Sequence, residues 1–284
     1  MSQYQYYEFR AIDQPLTERQ IREVRSLSTR AEITATSFTN EYHWGNFRGD
    51  PLKMMEKYYD AFLYYANWGT HWLMLRLPRG LVDVKAMEPY CADGGLSVRT
   101  TRTHAILDFH AECDGPDWDE VHASLSSLIP LRDDLLGGDL RSLYLAWLGA
   151  LQMGELDDEE FEPPVPSGVR RLSGTLRAMA DFLYLDPDLL AVAAAQDKGK
   201  PLPAPKRADL AKWIHDLTAS EKEAMLLEVA QGKGSQAERK LREGFLGARA
   251  AKHGLKVAED DTERRTVPQV RAAWESRSAR HRPW

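Results

Sequence analysis

The sequence predicts an α+β fold: an N-terminal ferredoxin-like domain (βαββαβ) with an added β-hairpin and helices, followed by an all-α C-terminal region. Three observations lead there. In the first part of the chain, runs rich in aromatic and β-branched residues alternate with amphipathic stretches, the pattern of strands interleaved with helices. Residues 37–78 concentrate large aromatics, from Phe38 and Tyr42 to Trp68 and Trp72, and such side chains dominate cores and interfaces because each buries a large apolar area. Beyond residue 117, helix signals follow one another with almost no strand signal between them.

Composition fits this reading. The 284 residues allow one large domain or two smaller ones, and 43% hydrophobic with 28% charged is ordinary for a globular chain. The best internal boundary is ELDDEEFEPPVPS, acidic and then proline-rich. The expected organisation is an α+β ferredoxin-like domain over residues 1–154, a linker over 155–168 and a helical region over 169–284. A net charge of −6 and a pI near 5.8 argue against a general nucleic-acid binder, although a local basic patch would still set an electrostatic footprint. Two cysteines, Cys91 and Cys113, are too few for a disulfide scaffold. The N-terminus has no apolar leader, and no run approaches the ~20 apolar residues of a membrane span. A cytoplasmic protein without membrane partners is expected.

The elements follow in order. YQYYEFRAI reads as a strand. Pro15 and Thr17 open a helix, with Gln20 placed to complete a capping box. AEITAT and then residues 37–44 are the second and third strands. Asp50-Pro51 starts a helix whose apolar residues Leu52, Met55, Tyr59, Phe62 and Leu63 fall close to one face, and Asn67-Trp68-Gly69 ends it. Residues 70–77 form the fourth strand, completing β-α-β-β-α-β. A short helix is expected over residues 81–91. Residues 96–101 and 103–112 give the added hairpin, and Asp117 with Glu120 caps the next helix. Further helices are expected over residues 140–153, 169–185, 186–198, 206–230, 236–251 and 267–279. In residues 206–230 the apolar set is Trp213, Ile214, Leu217, Met225, Leu226 and Val229, and in the last helix Val267, Val270 and Trp274 share a face.

The motifs of common chemistries are missing from the sequence. There is no CxxC, HxxxH, HExxH or GxSxG, no Walker loop, and no GxGxxG after a strand. His104, His110 and Cys113 lie close together in sequence with Cys91 and His122 nearby, but only the two histidines share a strand face, Cys113 points the other way and no ligand spacing is present, so no metal and no cofactor is expected. The acidic run from Asp157 to Glu160 and the Asp133-Asp134 pair read as solvated charge. Tyr4, Tyr6, Tyr7, Phe9, Tyr42 and Trp44 lie where RNA-recognition modules present stacking aromatics. The RNP signature is missing, however, and core packing explains these rings better. Arg239, Lys240, Arg242, Arg249, Lys252 and Lys256, followed by Arg277, Arg280 and Arg282, make the C-terminal helices basic, a pattern suited to phosphate backbones or acidic protein surfaces.

Four stretches, YYEFRAIDQPLT, TSFTNEYHWGNFRGDP, ANWGTHWLMLRLP and WIHDLTASEKEAMLLEVAQGKG, resemble those of a family of uncharacterised bacterial proteins of unknown function. Members of that family are found beside SWIM zinc-finger proteins. The resemblance implies a protein partner and assigns no catalytic residue.

The leading expectation is a non-catalytic adaptor acting in a multi-protein assembly. One alternative is a nucleic-acid-associated accessory factor using Arg239, Lys240, Arg242 and Arg249. Another is an enzyme with a site assembled from His43, Asp50, His104, Asp108 and His110. The glycine-flanked loop after the third strand, with Trp44, Phe47 and Arg48, together with Trp68, is the expected binding face. Alanine at Trp44 and Phe47 is expected to spare the fold.

Overall fold

A computed structural model describes residues 3–112, 124–197, 199, 206–253 and 264–281. The strands are β1 (Gln5–Arg10), β2 (Glu32–Ile33), β3 (Ser37–Tyr42), β4 (Ala61–Ala66), β5 (Thr70–Pro78), β6 (Leu96–Thr100) and β7 (His104–Glu112). They pair into one sheet in the order β2-β3-β1-β4-β5-β7-β6, and every pairing is antiparallel. The protein is therefore a mixed α+β fold with a seven-stranded antiparallel sheet. With helices at Glu18–Arg25 and Pro51–Lys57, the first six elements run βαββαβ as expected from sequence, but the fourth strand is Ala61–Ala66 and not residues 70–77, which form an added strand. The reason is local. The expected second helix is two elements: α2 (Pro51–Lys57) and then β4, whose six residues are all buried. A strand covered on both faces has no apolar period to distinguish it from a buried helix turn. Gly69, at φ +99, turns the β4–β5 hairpin instead of ending a helix.

The N-terminal helix signals are realised as capping bonds. In α1 (Glu18–Arg25), Thr17 and Gln20 exchange both bonds of a capping box, and Asp50 accepts from the Lys53 amide at the start of α2. These two helices cover one face of the sheet. Phe9, Phe38, Tyr59, Phe62, Met54, Met55 and Met74 are fully or almost fully buried there. The opposite face, carrying Leu63, Leu73, Leu75, Leu107 and Phe109, is covered by the helical part of the chain. Its contributors are α4 (Leu125–Leu128), α5 (Leu131–Leu136), α6 (Arg141–Met153), α7 (Gly174–Phe182) and α8 (Pro187–Ala195). In α6 every residue from Arg141 to Leu151 is buried, the pattern of a helix enclosed on all sides. Between β5 and β6 lie 3₁₀ turns at Arg79–Leu81 and Glu88–Tyr90 and the single-turn α3 (Val84–Met87). The chain closes with α9 (Arg207–Asp216), α10 (Ala219–Ala230), α11 (Gly234–His253) and α12 (Val267–His281).

A buried ion network locks the sheet to α5. Asp60, fully buried, accepts the Ile12 and Asp13 amides at 2.6 and 2.8 Å and pairs with Arg76 at 2.6 Å. Arg132 donates to the Arg76 carbonyl and clamps Asp13 with two bonds of 3.1 and 2.9 Å. Burial pushes the Asp60 carboxyl up, but Arg76, Arg132 and the amide donors outweigh it and hold it below the usual carboxylate range.

Residues 155–168, expected as a linker, include packed positions. Leu156 and Glu162 are buried. Glu162 accepts from Tyr144 at 2.6 Å and pairs with Arg265 at 2.6 Å, while Phe161 bridges to Thr266. The acidic residues Asp157 to Glu160 do lie exposed. Val267 and Val270 of α12 are fully buried, and Trp274 packs against the same core. No helix among the described residues is long and apolar enough to cross a membrane. The expected Asp117–Glu120 cap lies outside the described residues.

Candidate functional site

Among the described residues, α9, α10 and α11 carry a poorly covered apolar surface. Thr218 caps α10, donating through its backbone to the Glu221 carboxylate at 2.8 Å and accepting the Glu221 amide at 3.2 Å. Gly232, at φ +76, turns the chain into α11. Trp213 of α9 packs edge-on against Phe245 at 6.0 Å, and Gly244 makes the approach possible, because a Cβ there would lie 3.0 Å from the Trp213 ring. No residue of α9 or α10 is buried. Between the three helices lies an apolar groove of about 700 Å³, lined by Leu210, Ile214, Leu217, Met225, Leu226, Val229, Leu241 and Phe245, with Lys222, Glu238 and Arg242 at its rim. Leu226, Leu227 and Val229 are 69%, 54% and 54% exposed. The apolar residues recognised by spacing in residues 206–230 thus face an opening and not a closed core.

The groove adjoins a charged cavity of about 410 Å³, with which it shares Leu210, Arg242 and Phe245. The cavity is lined by Asp133, Asp134 and Asp139 and by Arg141, Lys206, Arg207, Arg242 and Arg249. Arg141 pairs with Asp139 at 2.6 Å, and Arg242 pairs with Asp133. Burial, reinforced by the neighbouring Asp139 and Asp133 carboxylates, pushes Asp134 up to about 6. Among the described residues, the side chains of Lys206 and Arg207 pair with no carboxylate, although the Lys206 amide donates to Asp209 at 3.1 Å.

The basic residues expected to meet nucleic acid are largely engaged within the chain. Arg239 lies 4.0 Å from Glu243, Lys240 pairs with Glu228, and Arg242 pairs with Asp133. Arg249 lines the charged cavity. Beyond them, Arg277 pairs with Asp188 at 2.9 Å. Lys256 and Arg282 lie outside the described residues.

Of the loop residues, Trp44 is 77% and Trp68 49% exposed, and Arg48 is exposed as well. Phe47 departs from expectation. It is only 9% exposed, with its ring centroid 5.4 Å from that of Tyr7 and 5.5 Å from that of Phe38. It folds back beneath Gly49, where a Cβ would meet its ring at 2.4 Å. Phe47 is a core residue, so alanine there costs stability.

The proposed enzyme constellation does not assemble as one site. His43 packs against Tyr4 beyond the end of β3, and Asp50 is spent on capping α2. His104 and His110 share a face of β7 but stand six residues apart, about 20 Å along a strand. Only Asp108 and His110 meet, at 2.9 Å, where Asp108 also accepts from Trp72 at 2.5 Å and Trp72 stacks on His110. Among the described residues, no group of three or more His, Cys, Asp or Glu is placed to hold a metal ion. Burial pushes the Cys91 thiol up, the opposite of what a nucleophile needs. Cys113 and His122 lie outside the described residues.

Sequence reasoning missed His71. It is buried on β5, its Nδ1 3.0 Å from the Phe182 carbonyl and its Nε2 2.6 Å from the Tyr184 hydroxyl. A carbonyl only accepts, so Nδ1 carries the proton and Nε2 accepts from Tyr184. Tyr184 reaches it from a left-handed backbone, φ +52. Both ring nitrogens are satisfied, which makes this a tie between the sheet and the α7–α8 turn. No spacing signal links residues so far apart in sequence.

Compared with protein-family models, curated proteins and solved structures, the chain matches none.

Proposed function

We propose that this chain is a non-catalytic cytoplasmic adaptor that takes up an apolar helical segment of a protein partner between α9, α10 and α11. The observation that supports it is the open groove with Leu226, Leu227 and Val229 at its edge. Helix-in-groove recognition uses this geometry, with apolar anchors repeating along one helix face. Lys206 and Arg207, whose side chains pair with no carboxylate in the adjoining cavity, suit an acidic residue at one end of that segment. The groove's wall α11 packs against α5 with Leu246 buried in the core, while Leu226 and Val229 stand exposed at the groove's edge.

The test is cross-linking of the intact protein in extract of its native cell, followed by identification of the linked peptides. Links from a partner segment to α10 and α11, lost in the Leu226→Asp/Val229→Asp variant, are the expected result. Because both side chains are exposed, that variant should keep the wild-type urea midpoint within about 0.5 kcal/mol of stability. Recovery of the wild-type protein alone, as an unlinked monomer, would overturn the reading.

A further inference from the structure

A third cavity, remote in sequence from the other two, lies between the turn after α1 and the loop after β3. Its volume is about 380 Å³, within the range of small-ligand sites. Its lining contains Arg30 and Arg48, Ser28, Asn46 and Trp44, and no carboxylate. In a chain of net charge −6 this is a local excess of positive charge. Among the described residues neither arginine has an ion-pair partner.

The floor of the cavity is built. Ser28, 8% exposed, is held by the Ala31 amide at 3.3 Å, by the Asn40 side-chain amide at 3.4 Å and by the Tyr42 hydroxyl at 3.4 Å. Buried Gln5 donates to the Gly45 carbonyl at 3.2 Å and to Asn46 Oδ1 at 2.9 Å, which fixes the loop and leaves the Asn46 amide hydrogens available. Gly45, at φ +76, sets the turn. Phe47 anchors the loop in the core, and Trp44 is left 77% exposed beside the cavity.

From this donor-rich, carboxylate-free lining beside an exposed indole, we infer that the cavity binds a phosphate ester carrying a flat ring, the mononucleotide class. Guanidinium groups present paired donors matched to phosphate oxygens. Aromatic faces stack on bases without needing a particular base, because every base has a π-face. The phosphate lies toward Arg30 and Arg48, and the ring lies against Trp44.

Isothermal titration of the full chain with AMP, inorganic phosphate and adenosine tests this. AMP is expected to bind more tightly than either fragment. Arg30→Ala and Arg48→Ala should each weaken AMP about tenfold or more, since each removes charge-assisted hydrogen bonds. Trp44→Ala should weaken AMP and leave phosphate binding unchanged. All three side chains are exposed, so the variants should melt like the wild type. Phosphate binding as tightly as AMP, with Trp44→Ala silent, would overturn the ring assignment. Adenosine binding as tightly as AMP, with both arginine variants silent, would overturn the anion assignment. The proposal also falls if none of the three probes binds, or if a single-stranded oligonucleotide binds far more tightly than AMP.

Discussion

Two stretches of this chain carry comparable apolar patterns and meet opposite fates. Residues 52–63 place Leu52, Met55, Tyr59 and Phe62 at near-helical spacing, and all but Leu52 end fully buried against the sheet. Residues 210–229 place Leu210, Ile214, Leu217, Met225 and Val229 at similar spacing, and none is buried. The difference lies in what surrounds each. The first stretch runs from α2 into β4, and the inward rings of β1 and β3 close around it. The second packs chiefly on α11 and leaves much of its apolar face open. A periodic apolar face states that something must cover it, and tertiary neighbours decide whether that is the chain itself.

That contrast can be broken at the closed end most severely through Asp60. Asp60→Ala strips the partner from Arg76 and leaves the Ile12 and Asp13 amides unpaired, so a loss of about 3–5 kcal/mol is expected in urea unfolding. Because its folded carboxyl is held low, the stability it contributes is present above the unfolded value near 4 and fades as the pH falls through the lower folded value. An unchanged urea midpoint in the variant would show the network to be dispensable.

Phe47→Ala should cost about 3 kcal/mol by opening a cavity among Tyr7, Phe38 and Tyr42, whereas Trp44→Ala, three residues away, should cost almost nothing. Equal melting temperatures for the two would erase the distinction between anchor and exposed ring.

The smallest effect is expected beside the groove. Folding raises the Asp134 carboxyl to about 6, so the stability tied to its bound proton is full below the unfolded value near 4 and is lost as the pH climbs through 6. Asp134→Asn should therefore melt a few degrees higher than wild type at pH 7 and alike at pH 4. A variant less stable at pH 7 would mean that the ionised carboxylate serves Arg141 or Arg249.

Much of the fold was legible where local chemistry speaks. The Thr17–Gln20 box, Asp50-Pro51 and the β6–β7 hairpin all stand where their residues indicated. The strand β4 was not, because AFLYYA has no polar face to reveal its period once both sides are covered. The groove's residues were legible as an apolar set, but its openness was not, since exposure depends on which elements pack nearby. The charged cavity joins Asp133, Arg141, Lys206 and Arg249, and the loop cavity joins Arg30 to Arg48. Such meetings are set by topology and leave no local mark. Phe47 misled for the opposite reason: a glycine-flanked loop suggested exposure, and Gly49 in fact makes room for the ring to turn inward.

The strand order carries a consequence for behaviour in concentrated solution. An antiparallel sheet ends in two rows of unpaired backbone groups that invite another chain to add a strand. Here one margin is β2, only two residues long, and the other is β6, whose outer positions include exposed Arg99 and Thr100. A short margin and a charged one are poor templates for cross-chain pairing, so the seven strands grow no further. The sheet margins thus offer no ready site for another copy, whereas on the helical surfaces Leu226, Leu227 and Val229 stand open.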